Sequence, residues 1–297
     1  MKIFVVGTTG VLGRALLPLL LQKGYSVRGL VRTPEKAHAL EQAGVEAVQG
    51  DLLDRETVRL LPEMMKGCQA AVHIATAIPH DASAMAVKGA WDVTTRLRTE
   101  GTQTLLRSAL AAGVQRYLQQ SIVMAYPDGG ARWLDESTPL DTSPERATTC
   151  GPVIAMEDMV RANAPEQLQW CILRAGSFVG PETQQDHQIA QLRAGQLTVP
   201  CNGDHYVSPV NVHDMAEAIV AALAFAPMGS TFNIVDEPLR TADYVDHLAD
   251  LLHVPHPKRQ ADQPCPPSFR CSNQAARAQL QWKPVHGIWP ATEKVTI

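Results

Sequence analysis

Three glycines and two basic residues carry most of the chemistry legible in this chain. Gly7, Gly10 and Gly13 recur at every third position in Gly7-Thr8-Thr9-Gly10-Val11-Leu12-Gly13. Between a strand and a helix, such a loop cradles phosphate. Glycines permit a tight turn and a close backbone approach, and the first N–H groups of the helix face the anion. Further on come Arg32 and Lys36. NAD sites usually carry an acidic residue here, about 20 residues past the glycines, to accept the ribose 2′-hydroxyl. A guanidinium instead pairs with a 2′-phosphate through parallel hydrogen bonds. The pattern predicts NADP (NADPH) as cofactor.

The elements needed to hold such a site surround it. Lys2-Ile3-Phe4-Val5-Val6 is a short apolar run that suits a buried strand. Arg14 to Lys23 reads as a helix stopped at Gly24, with Pro18 expected to kink it. Strands are then predicted over 26–32, 45–52, 70–77, 114–121, 170–181 and 231–235, and helices over 54–66, 91–112 and 215–225. This alternation predicts an α/β fold, a Rossmann doubly wound parallel sheet with strand order 3-2-1-4-5-6 and the cofactor at the strands' carboxyl ends. Residues 1–181, with 207–237 returning to them, form the expected NADP-binding domain. Residues 182–206 and 238–297 form the expected small substrate-binding domain.

Bulk composition narrows the class. The 297 residues suit one large domain, or one large domain with a smaller partner, and a net charge of −4 gives no reason to expect nucleic acid or an anionic membrane. Six cysteines at 68, 150, 171, 201, 265 and 271 form no Cys-x-x-Cys pair and read as scattered reduced thiols. His253 and His256 are the closest histidines, but Pro255 between them argues for a loop, and no metal site is expected. Residues 3–21 imitate an apolar targeting segment, yet three glycines and Arg14 interrupt them. Strand, turn and helix explain the run better, and the expected location is the cytoplasm.

The glycine spacing resembles that of the extended and atypical branches of the short-chain dehydrogenase/reductase superfamily, the NAD(P)-dependent epimerase/dehydratase-like proteins. The resemblance extends from Met1 to about Pro284. It includes Gly50-Asp51-Leu52, His73-Ile74-Ala75-Thr76, Gly101-Thr102-Gln103-Thr104-Leu105-Leu106, Leu173-Arg174 with Gly180-Pro181, and Val207 to Asp214. It implies cofactor contacts at Gly7, Thr9, Gly10, Val11, Leu12 and Gly13. It places Asp51 at the adenine amino group with Leu52 beside it, and Ala75 and Thr76 along the cofactor. Ala175, Ser177 and Phe178 then lie beside the nicotinamide. Ser121 matches the catalytic serine that hydrogen-bonds the reacting oxygen. Tyr126, five residues on, is a second catalytic candidate from the following loop. His73 reads as a packed strand residue.

The catalytic pattern is otherwise incomplete. Arg98 stands where these proteins carry an asparagine that anchors a relay water. With Glu157 taken as the glutamate that often follows the catalytic lysine, Val153 occupies the lysine place and Thr149 the tyrosine place of Tyr-x-x-x-Lys. No lysine occurs between Lys88 and Lys258. The resemblance implies an NADP-dependent oxidoreductase acting on a small carbonyl or alcohol substrate. A non-catalytic NADP-sensing regulator is the alternative. A sugar-nucleotide epimerase or dehydratase is a third, disfavoured by Arg32 and by the missing tyrosine–lysine pair. A proton donor from the small domain, His187 or Tyr206, stays open. Helices 91–112 and 150–163 imply a homodimer face, as in relatives.

Overall fold

The computed structural model describes residues 1–79, 87–164 and 168–290. Seven strands make one sheet: β1 (Lys2–Val6), β2 (Ser26–Val31), β3 (Glu46–Gln49), β4 (Ala70–His73), β5 (Arg116–Ile122), β6 (Gln169–Ala175) and β7 (Ser230–Ile234). Their order is β3-β2-β1-β4-β5-β6-β7, parallel at every pairing. The expected order therefore holds, with Ser230–Ile234 added beside β6. Residues alternate across β1. Ile3 and Val5 enter one apolar cluster, and Phe4 and Val6 enter another on the opposite face. Both faces of the sheet are thus covered, as parallel strands require.

The first face is covered by α1 (Val11–Gln22), which keeps Pro18 inside it, and its partner there is the helix Val212–Phe225. α2 (Pro34–Gln42) opens on Thr33, whose hydroxyl accepts the Lys36 amide, and α3 (Arg55–Met64) opens on Asp54, which accepts the Thr57 amide. On the second face, Asp92–Arg96, a π-helical turn at Leu97–Gly101 and Thr102–Ala111 run on as one helix, α4. α5 (Ala147–Asn163) packs against it.

Several boundaries differ from expectation. β3 stops at Gln49 because the chain turns: Asp51 accepts the Leu53 amide through its side chain and the Asp54 amide through its carbonyl. The helix expected from residue 215 starts at Val212, since Asn211 caps it by accepting the His213 amide. Asp214 is buried in its first turn and holds the Val285 and His286 amides.

A separate apolar cluster joins Leu192 and Val199 to Tyr244, Val245, Leu248 and Ala249. It draws on the two segments expected to form a small domain, of which 291–297 lie outside the described residues. The same region corrects the reading of the cysteines. Cys201 and Cys265 form a disulfide, while Cys68, Cys150, Cys171 and Cys271 are free and buried. Sequence spacing hides this pair because folding, not proximity in the chain, brings its members together across a separation of 64 residues. Cys265→Ser should cost about 2–4 kcal/mol by releasing the unfolded chain, read as a lower urea midpoint that excess reductant reproduces in the parent protein. Among the described residues no helix is long and apolar enough to cross a membrane.

Candidate active site

A cleft of about 1640 Å³ opens along the carboxyl ends of the strands. The glycine loop forms its floor. Gly7 has φ +104°, and a Cβ there would lie 2.7 Å from the Ala75 nitrogen of the chain leaving β4. Gly13 is held just as closely, since a Cβ would meet the Gly7 carbonyl oxygen at 2.3 Å. Its tight contact is with the loop itself rather than with the sheet. Gly10 differs. A Cβ there would meet only the Gly7 oxygen, at 3.5 Å, an ordinary contact. Nothing in the polypeptide demands glycine at position 10. A phosphate-bearing ligand approaching the backbone at the start of α1 would, so these residues fit the cofactor the sequence implies.

Every residue expected to bind that cofactor reaches this one cleft. The loop supplies Gly7, Thr9, Gly10, Val11, Leu12 and Gly13; Arg32 and Lys36 stand past the end of β2, exposed at the cleft's mouth. Asp51 and Leu52 follow β3, Ala75 and Thr76 follow β4, and Ala175, Ser177 and Phe178 follow β6. Arg14 ties the loop to the opposite wall, donating to the Thr9 carbonyl oxygen at 2.6 Å and pairing with Glu182.

Both catalytic candidates are buried. Ser121 donates to Glu157 at 2.6 Å; it is not in the wall of the main cleft but borders a small void with Arg98, Gln120 and Ile122, which also line the cleft. Strand alternation sets Ser121 on the opposite face of β5 from Gln120 and Ile122. Ile122 offers no proton. Tyr126 is fully buried and also lies outside the cleft lining. It donates to Asn233 at 2.9 Å and accepts from Arg174 at 2.7 Å. Burial pushes its phenol above its ordinary value despite the Arg174 charge, the wrong direction for a base. Both belong to a structural network around Glu157. That carboxylate accepts from Arg174 at 2.9 and 2.7 Å and from Arg161 at 2.6 Å. Burial pushes the Glu157 carboxyl up, but hydrogen bonds and charge from Arg174 outweigh this and hold it below the usual carboxylate range.

Thr149 and Val153 sit on α5 as the register expects. Thr149 is exposed in the cleft, and Val153 is buried among Ala125, Cys150 and Met156. His73 is packed and both its ring nitrogens lack a partner among the described residues; burial pulls its pKa down to about 4, so it is neutral. His187 lines the cleft, whereas Tyr206 is not among the lining residues. Sequence reasoning passed over Gln120, which lines the cleft with Arg98 and Thr149. Arg98 was flagged only as a departure, although its helical spacing to Thr102 and Leu105 places it on the buried stripe of α4.

Residues 3–235 match the NAD dependent epimerase/dehydratase family. The chain is 31% identical to 3-diazoavenalumate denitrifying reductase of a Streptomyces species, over 97% of this chain and 98% of that one. It is 29% identical to 4-hydroxy-2-methyl-3-oxo-4-farnesyl-3,4-dihydroquinoline-1-oxide ketoreductase of Stigmatella aurantiaca, over 80% of this chain and 68% of the relative. Among solved structures, a dTDP-glucose 4,6-dehydratase of Streptomyces venezuelae with NAD bound superposes with a TM-score of 0.80 at 22% identity, covering 97% of this chain and 93% of that one. That likeness speaks for the fold.

Proposed function

Since the chain belongs to the NAD dependent epimerase/dehydratase family, we propose that it is an NADPH-dependent reductase of a small carbonyl or comparably electron-poor acceptor. The observation that carries this reading is the pairing of a glycine cradle with Arg32 and Lys36 on one cleft. The two relatives reported above, a reductase and a ketoreductase by name, support the same class.

NADPH would supply the hydride when bound. The chain's own residues do the rest. The 7–13 loop and the first turn of α1 hold the pyrophosphate through backbone N–H groups and the helix dipole. Arg32 and Lys36 neutralise the 2′-phosphate, and Asp51 accepts from the adenine amino group. Ala175, Ser177 and Phe178 wall the nicotinamide. Where a tyrosine and a lysine would deliver a proton, this chain has Thr149 and Val153. Reduction of a carbonyl then takes its proton from water in the open cleft. An aryl-diazonium acceptor needs none, because hydride addition with loss of dinitrogen completes the arene. This second kind of acceptor suits the missing acid and the name of the first relative.

Arg32→Ala should raise the Kd for NADPH roughly 10- to 100-fold, the worth of a charge-assisted pair, and leave the Kd for NADH within about 2-fold. Nicotinamide fluorescence measures both, and equal losses for the two cofactors would remove the assignment. Activity is tested with NADPH deuterated at C4, incubated with the protein and a cell extract. A metabolite that gains deuterium only with the protein present identifies the substrate. NADPH binding without any labelled product favours the second reading, an NADP-sensing regulator, which the absent tyrosine–lysine pair also suits. A homodimer through α4 and α5 belongs to this proposal, and sedimentation of the cofactor-bound protein tests it.

A further inference from the structure

Arg98 is a mostly buried cation that lines the cleft. It lies within the π-helical turn Leu97–Gly101 of α4, an irregularity that frequently marks functional positions. Its residue is only 8% exposed. The other buried arginine, Arg174, is clamped by Glu157. Arg98 has no hydrogen bond, ion pair or aromatic ring as partner among the described residues. Burial accordingly pulls its pKa below the ordinary arginine value. A small void of about 10 Å³ touches His73, Gln119, Ser121 and Arg98. A water there would hydrate the guanidinium without neutralising it. None of the Arg98 nitrogens is both buried and unpartnered, so the guanidinium reaches the solvent of the cleft. A mostly buried arginine with no carboxylate beside it among the described residues suits an anion brought by a ligand.

The surroundings indicate which ligand. Arg98 faces the cleft beside Gln120, Ile122 and Thr149. Val93, Met124 and Phe178 contribute apolar wall. The other arginine and lysine of the cleft, Arg32 and Lys36, stand past β2, three strands from β5 and hence about 14 Å across the sheet. One guanidinium matches one negative charge. A phosphate dianion would retain an unmatched charge against apolar walls, whereas a carboxylate is satisfied by two parallel N–H donors.

We infer that Arg98 is the anion-binding residue of the substrate pocket and that the substrate is a carboxylate with an apolar body. The inference rests on the reductase reading for the word substrate, but the site can be tested apart from it. The probe is trans-cinnamate, with cinnamamide as its neutral counterpart, titrated calorimetrically into NADPH-loaded protein and again into protein without cofactor. The parent protein should bind cinnamate at least about 10-fold more tightly than cinnamamide. Arg98→Met should erase that preference, and Arg98→Lys should retain part of it. The Kd for NADPH should stay within about 2-fold in both variants. Arg98→Met should also melt no lower than the parent, since the guanidinium holds no partner among the described residues; a merely structural arginine would lower the melting temperature. The inference is overturned if Arg98→Met keeps the preference for the acid, if the parent shows none, or if NADPH binding weakens by the same factor as cinnamate binding. In that last case the guanidinium serves the cofactor. Failure of NADPH to bind at all would sink the reductase reading instead, and the comparison of acid with amide would still be read on the cofactor-free protein.

Discussion

Glu157→Ala should destabilise the protein by about 3–5 kcal/mol, the usual cost of removing one partner of a buried ion pair. The side chain of Glu157 is fully buried and that of Arg174 is 4% exposed. Without the carboxylate, the Arg174 guanidinium loses two charge-assisted bonds and keeps only its bond to Tyr126. The melting temperature should fall by roughly 10 °C. Ser121→Ala removes a single bond to the same carboxylate and should cost less, about 1.5–3 kcal/mol. The pair also sets a pH window. The folded Glu157 pKa is depressed, so its contribution is fully present above the unfolded value, about 4.3. It is lost as pH falls through the lower folded value. Thermal melts of the parent and both variants between pH 7 and about pH 2 decide the matter. A Glu157→Ala protein that melts within about 2 °C of the parent at pH 7 would show that Arg174 does not depend on it.

The sheet was legible because apolar strands and glycine stops recur in order, and the central parallel strands β1 and β4 are buried on both faces. Cofactor residues were legible for the same reason: a loop, once placed at a strand end, has one direction to face. The catalytic candidates were not. On β5 a shift of a single residue changes the face a side chain takes, and no local propensity shows that Ser121 is held by Glu157, which arrives from α5, 36 residues on. Tyr126 looked available because a loop tyrosine usually is. Its burial depends on Arg174 and Asn233, which arrive from β6 and β7, 48 and 107 residues further along the chain. Long-range partners also decided the disulfide. Arg98 is the opposite case. Its helical spacing already put a charge on the buried stripe of α4, and weighing that cost would have marked it as part of the site.

Gly10 and Gly7 should separate folding from cofactor binding. Gly10→Ala is expected to leave the cofactor-free protein within about 1 kcal/mol of the parent, the scale of a changed helix N-cap. Its backbone has φ −75°, and the added methyl would touch only the Gly7 oxygen at 3.5 Å. The same methyl would stand where a pyrophosphate must approach the α1 amides. NADPH affinity should therefore fall at least about 100-fold, close to 3 kcal/mol. Gly7→Ala should do the reverse in order. Its positive φ and the 2.7 Å clash with the Ala75 nitrogen act on the polypeptide itself, so the cofactor-free protein should lose more than about 1 kcal/mol before any ligand is added. Paired urea titrations and fluorescence titrations with NADPH measure the two effects. If Gly10→Ala binds NADPH as the parent does, the cleft accommodates its ligand without contact at that turn. The phosphate cradle would then have to be sought elsewhere along the strand ends.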